Sequence, residues 1–325
     1  MTKNILYANS VVAALSNSLI TKECLNRLVE AQNAKTALAT LQETNFGSGV
    51  SIDSPFEIET LLNFETKKLL KFITQETPST ALEQYFLLQY DYNNIASFCK
   101  GLLLEQDTTD FVQAEGNYDW VKIKDLISSK NFKDFNNSYI EKALNEFQDY
   151  VGKKEVNGYE VDFLFKKYMF ENLKDIVKKD KLLAEIVSLK IDIENISVAM
   201  RSSTQYTMDA QKLKNATLSN AVLLKIFNKD SSVLSEIKNP ILQKFAKLAL
   251  SNETENSYVK FEVLKNSFIF DCLKPKKFDV NTIAPFAYYC FQKESEIKNI
   301  RLIMSYQCNN LKDKIKERFL EYYGG

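Results

Sequence analysis

Three short segments of the chain pair an acidic residue with an amide one helical turn later. Asp91-Tyr92-Asn93-Asn94-Ile95, Asp192-Ile193-Glu194-Asn195-Ile196 and Glu296-Ile297-Lys298-Asn299-Ile300 share an acid, an apolar residue, a variable residue and Asn-Ile. Their asparagines lie 101 and 104 residues apart. An acid and an amide three positions apart share one face of a helix. Such a pair has two uses: its polar atoms satisfy a buried helix end, or the three pairs converge to line a polar cavity. A third use is acid–base catalysis by neighbouring carboxylates, such as Asp192 with Glu194 or Glu294 with Glu296. Positions two apart on a helix point away from each other, and the chain contains no His to assist. That absence removes Ser-His-Asp and Cys-His nucleophiles, the HExxH zinc site and imidazole proton transfer together. No catalytic residue is therefore assigned.

The elements carrying these pairs are expected to be helices. Gly and Pro number 8 and 5 in 325 residues, too few for the turns of many short strands. An all-α fold of roughly fifteen helices follows. Ser54-Pro55-Phe56-Glu57 is a capping box with Pro at the first helical position, starting a helix that runs to about Thr74. Thr77-Pro78 opens another to about Leu104, and Ser138 with Glu141 forms a second capping box before Ala143, Leu144 and Phe147. Gly47-Ser48-Gly49, Gly116-Asn117, Gly152, Asn157-Gly158, Asn239-Pro240 and Lys274-Pro275 interrupt the apolar pattern. Asn inside a helix costs about 0.6 kcal/mol relative to Ala, so three such placements within long helices need a cause.

The motif spacing is close to one third of the chain, which predicts three similar helical units in a pseudo-threefold, funnel-like arrangement: 1–110, 111–215 and 216–325, the last helices packing back on the first unit. A short helix that stops abruptly is expected before each motif, at Leu38 to Phe46, Leu126 to Phe132 and Leu234 to Ile241. Open solenoids stack many units of about 20–50 residues; three units of about 100 suit a closed body instead.

Charge and cysteine usage narrow the partners. Lys plus Arg and Asp plus Glu both number 42, which argues against nucleic acid, since phosphate binding draws on a basic excess. Residues 1–110 hold 8 basic against 13 acidic side chains, a polarity that suits protein partners. The 22 Phe and 16 Tyr are assigned to the core. Cys24, Cys99, Cys272, Cys290 and Cys308 make no CxxC pair and suggest neither a disulfide framework nor a metal site; a reducing compartment is expected. No cofactor is expected, and Gly47-Ser48-Gly49 lacks the spacing of a dinucleotide loop. The longest apolar stretches, Val11 to Leu15 and Ala284 to Phe291, fall well below the ~18–20 residues of a membrane span, so any membrane role is peripheral.

The opening Tyr7-Ala8-Asn9-Ser10-Val11-Val12-Ala13-Ala14-Leu15 leads into Leu19-Ile20-Thr21-Lys22-Glu23, Leu25 and Arg27-Leu28-Val29-Glu30-Ala31, then Ala37-Leu38, Leu41 and Thr44-Asn45-Phe46-Gly47. Together with Glu294-Ser295-Glu296-Ile297-Lys298-Asn299-Ile300-Arg301-Leu302-Ile303-Met304, this resembles the C subunit of the bacterial and archaeal V/A-type ATPases, whose eukaryotic V-ATPase counterpart is the d subunit. The resemblance is strongest over 5–47 and 287–320. It implies a non-catalytic rotor socket on the cytoplasmic face of the membrane. The D and F subunits of the central shaft would insert into its mouth and its base would rest on the proteolipid ring. Torque would pass through it between ATP chemistry and H+ or Na+ transport. A helical-repeat scaffold unrelated to ATPases is the alternative that composition and periodicity alone allow.

Near the end, Lys312, Lys314, Lys316 and Arg318 surround Leu311, Ile315 and Phe319 in an amphipathic pattern. Solubility explains this basic face most simply. That face, or Arg301, is the candidate contact with a partner subunit. The run Lys178-Lys179-Asp180-Lys181 is expected to be a helix junction.

Overall fold

A computed structural model describes residues 4–109, 112, 114–151, 158–251 and 255–318. The described residues form fifteen α-helices and no strand. In chain order these are α1 (Ile5–Leu15), α2 (Lys22–Glu30), α3 (Ala34–Gln42), α4 (Ile58–Glu76), α5 (Thr80–Leu104), α6 (Trp120–Ser128), α7 (Ser138–Val151), α8 (Gly158–Val177), α9 (Lys181–Arg201), α10 (Gln205–Gln211), α11 (Asn220–Phe227), α12 (Pro240–Leu250), α13 (Glu255–Leu273), α14 (Ala284–Cys308) and α15 (Ile315–Arg318). Among the described residues no helix is long and apolar enough to cross a membrane.

The helix starts follow the capping chemistry with one shift. Ser54 accepts from Phe56 N–H, Glu57 reaches back to the Ser54 amide, and the resulting 3-10 turn at Pro55–Glu57 runs into α4. For α7 the cap is Asn137, not Ser138: its Oδ1 accepts from Tyr139 and Ile140 N–H at 3.0 and 3.2 Å. Asn caps at least as well as Ser, and placing it one residue earlier leaves Ser138 inside the helix. Asn239 likewise caps α12 through Ile241 and Leu242 N–H, so Asn239-Pro240 starts a helix.

The three expected short helices are corrected. Leu38 to Phe46 starts inside α3 and runs past its end at Gln42 into a turn. Leu126 to Phe132 crosses the end of α6, where Lys130 turns to φ +57°, and Leu234 to Ile241 crosses from a 3-10 turn (Ser231–Ser235) to the first turn of α12. The breakers fall inside these stretches: a left-handed residue ends one helix and a capping Asn begins the other. Lys178 to Lys181 is the junction of α8 and α9, with Asp180 as N-cap. Gly152 and Asn157 lie outside the described residues.

Contacts divide the chain into two compact units, 1–80 with 247–325, and 81–246. In the first, α14 packs along α4, α3 and α1, and α2 packs on α3. Phe72 of α4 stacks on Phe286 of α14, centroids 5.4 Å apart, and Leu61, Leu62 and Ile73 are buried with Ala287, Cys290 and Ile300. Each such Leu or Ile contributes about 1.5–3 kcal/mol through burial. In the second unit α8 packs between α7 and α9, and α11 lies on α9. Phe147 meets Phe165, and Phe98 meets Trp120 edge-on.

Candidate functional site

The three acids of the repeated motif, Asp91 on α5, Asp192 on α9 and Glu296 on α14, are fully buried. Each receives the backbone N–H immediately before the N-cap of a short helix. Asp91 Oδ1 accepts from Tyr118 N–H at 3.2 Å, before Asp119 and α6. Asp192 Oδ1 accepts from Leu218 N–H at 2.9 Å, before Ser219 and α11. Glu296 Oε2 accepts from Ile20 N–H at 2.6 Å, before Thr21 and α2. The same position is therefore held in all three cases. A buried carboxylate beside a helix N-terminus is favoured by the unpaired amides and the positive end of the helix dipole.

The two aspartates take further donors. Asp91 accepts from Asn117 N–H at 2.8 Å and from Asn117 Nδ2 at 2.7 Å. Asp192 accepts from Thr217 N–H at 2.8 Å and from the Thr217 hydroxyl. One turn on, the amides hold the chain leading to the same helices. Asn94 Nδ2 donates to Ala114 O at 2.8 Å. Asn195 pairs with Leu213 both ways, Nδ2 to O at 3.0 Å and Leu213 N–H to Oδ1 at 2.7 Å. Asn299 is fully buried one turn beyond Glu296. The bonds of Asn94 and Asn195 offset their helix-propensity cost, since an unpaired buried amide would cost about 1–3 kcal/mol.

Glu296 differs from the aspartates by sharing a cation. Lys293, one turn earlier on α14, pairs with Glu296 and, at 2.8 Å, with Glu65 Oε2 of α4. Glu65 is also fully buried, and its Oε1 accepts Gly47 N–H at 3.0 Å. Gly47 sits at φ +72°, where a residue with a side chain is strained. The cluster thus fixes the chain before α2 and the loop after α3 to the α4–α14 pair. Burial works to lower the Lys293 ammonium's pKa, but Glu296 and Glu65 outweigh it and raise the value. Burial pushes the Glu296 carboxyl up against the attraction of Lys293. The Lys293 ammonium also lies 5.0 Å from the Phe46 ring centroid.

Burial also pushes the Asp91 carboxyl up to about 7, against the hydrogen bonds from Asn117 and Tyr118. An unfolded Asp titrates at about 4, so the folded state binds this proton more tightly. The stabilising contribution is complete below about pH 4 and is lost as pH rises through about 7. We expect the stability of the wild type relative to Asp91→Asn to fall by about 1–3 kcal/mol between about pH 4 and about pH 8. Urea unfolding at a series of pH values reads this directly, and a difference independent of pH contradicts it. Gly116 reports the same site sterically. A Cβ there would lie 2.5 Å from Asp91 Oδ1 and collide with Leu87 O. Gly116→Ala is expected to cost about 2 kcal/mol; an unchanged unfolding midpoint would show that the loop has room to move.

The remaining candidates are placed as follows. Arg301 forms a two-pronged pair with Glu59, Nε to Oε1 and an Nη to Oε2, both at 3.0 Å. Lys312 donates to Glu30 O at the end of α2, 2.9 Å away, a cation at a helix C-terminus. Lys314 is exposed and Ile315 fully buried. The side chain of Lys316, and Phe319, lie outside the described residues. Sequence reasoning misses Glu65, Lys293 and Gln307. Gln307 Nε2 lies 3.2–3.3 Å from Leu28 O, Val29 O and Ala31 O, closing the C-terminal end of α2. Glu65 interrupts the apolar stripe of Leu61, Leu62 and Leu69, a signal that it is buried with a partner.

Chemically, these arrangements position helices; among the described residues no group of His, Cys, Asp and Glu could hold a metal ion. What they define is an all-helical chain with one structural device used three times. Comparison with known proteins gives the class: the sequence model of the ATP synthase (C/AC39) subunit family matches residues 8–318. The chain belongs to that family. It is 23% identical to the C subunit of the A-type ATP synthase of Pyrococcus abyssi, covering 96% of this chain and 89% of that protein. Similar relatives are the A-type ATP synthase C subunits of Thermococcus kodakarensis, 22% identical over 97% and 89%, and of Thermococcus gammatolerans, 23% over 96% and 88%.

Proposed function

We propose that this chain is a non-catalytic subunit of a rotary V/A-type ATPase, the socket that joins the central shaft to the membrane ring. The observation that carries this is the family match over nearly the whole chain, with A-type ATP synthase C subunits aligned over about nine-tenths of their length. The D and F subunits of the shaft sit in the socket, the proteolipid ring lies beneath it, and the chain is peripheral on the cytoplasmic face. ATP hydrolysis or synthesis in the head is thereby linked to H+ or Na+ movement in the membrane.

The repeated device supports a body of three related units, near 1–110, 111–215 and 216–325. The acid of the first motif holds the start of α6, that of the second holds α11, and that of the third holds α2. The bonding order runs from each copy to the next and from the last to the first. Helices fixed by buried hydrogen bonds resist shear, which a torque-bearing part needs.

The test is to mix the purified chain with the D–F pair of its own source and follow the mixture by size-exclusion chromatography. A complex containing all three chains is the expected result. Separate elution of folded chain and folded D–F pair at micromolar concentration would overturn the socket assignment.

A further inference from the structure

The loop between α13 and α14 concentrates cations around an exposed ring. Lys274, Lys276 and Lys277 fall within four residues, and Phe278 beside them is 83% exposed. The Lys277 ammonium lies 4.8 Å from the Phe278 centroid and 5.5 Å from that of Tyr288. Lys274 and Lys276 are exposed and form no ion pair among the described residues. The one acid within 274–280 is Asp279, which accepts from Asn281 N–H at 3.2 Å.

This loop adjoins an unusual helix. Over Ile5–Leu15, α1 carries no charged residue, yet it is only partly covered. Asn9 ties it to the loop, donating from Nδ2 to Val280 O at 2.8 Å and Thr282 O at 3.0 Å. Leu6 lies one turn before Asn9 on the same face and is 50% exposed, with Tyr7 and Val280 similar. An uncharged helix with an open face would ordinarily be buried or at an apolar boundary.

We propose that the 274–280 loop and the adjoining face of α1 form a docking surface for a bilayer rich in anionic lipid headgroups. The lysines meet the phosphates while Phe278, Val280 and Leu6 enter the interfacial layer. The composition favours lipid over an acidic protein. All three loop cations are Lys, which is depleted at protein interfaces, where Arg is preferred, whereas Lys stems that run along apolar surface are suited to bilayer boundaries. The surface is read from this chain's own residues and does not depend on the socket assignment.

Co-sedimentation of the purified full chain with vesicles of phosphatidylcholine, with and without phosphatidylglycerol, tests it at low and high salt. Binding to the anionic vesicles alone, weakened by salt, is expected. Each Lys→Gln change should weaken it roughly fivefold, the three together about a hundredfold, and Phe278→Ala about tenfold. Phe278 is almost fully exposed, so its variant keeps the fold; helical circular dichroism verifies this for every variant. Absence of binding to anionic vesicles, equal binding to neutral ones, or undiminished binding by the triple lysine and Phe278 variants would overturn the proposal. So would capture by soluble polyglutamate in preference to the vesicles, which would assign the surface to an acidic protein.

Discussion

Lys293→Met is expected to destabilise the chain by about 3–5 kcal/mol. The methionine fills similar space, so the loss is electrostatic. Glu65 and Glu296, both fully buried, would face each other without the cation they share. Breaking a buried ion pair from one side leaves an uncompensated charge that water cannot reach. Combining Lys293→Met with Glu65→Gln and Glu296→Gln removes the charges together and should recover a large part of the loss. Denaturant unfolding of the single and triple variants at neutral pH measures both. A single variant within about 0.5 kcal/mol of wild type would mean that the cluster is not a structural tie.

Asp192→Ala should cost about 2–4 kcal/mol, because it removes the acceptor of two backbone amides and a hydroxyl at once. Thr217 and Leu218 N–H both bond to Asp192 Oδ1, and the Thr217 hydroxyl bonds to Oδ2. Asp192→Asn keeps one acceptor oxygen in place and is expected to lose about half as much. Hydrogen exchange localises the effect: the amides of Thr217 and Leu218 should exchange faster in Asp192→Ala while those of α7 change little. Unchanged protection at 217 and 218 would contradict the assignment of Asp192 as the tie to α11. If the acid instead served a partner, stability would hold while assembly failed.

The features legible in the sequence are those governed by local chemistry. Scarcity of Gly and Pro points to the all-helical class, and Ser54-Pro55-Phe56-Glu57 places the start of α4 within a turn. The repeat is visible because Asn is a poor helix residue that recurs at one spacing with an acid on the same face. What each acid holds is not visible, since the partners lie 26 or 27 residues away for Asp91 and 276 away for Glu296. A usable signal does exist: Ile20-Thr21, Tyr118-Asp119 and Leu218-Ser219 are apolar-then-cap pairs, 98 and 100 residues apart, nearly the period of the motif itself.

Charge partners are harder to read than helices. Arg301 pairs with Glu59, 242 residues away, a partner that no local pattern in the sequence shows. Lys293 escapes notice although it stands one turn before Glu296, because a Lys three residues before a Glu is ordinarily a solvated surface pair. Its burial depends on α4 bringing Glu65 across from another part of the chain. The α7 cap falls one residue before Ser138 because Asn137 competes for the same amides.

The socket assignment is tested most directly by recovering the tagged chain from gently solubilised membranes of its own source and identifying what comes with it by mass spectrometry. Recovery of the D and F shaft subunits together with the proteolipid ring is the predicted result. Recovery of the folded chain without any ATPase subunit, from membranes shown to hold the intact complex, would contradict it.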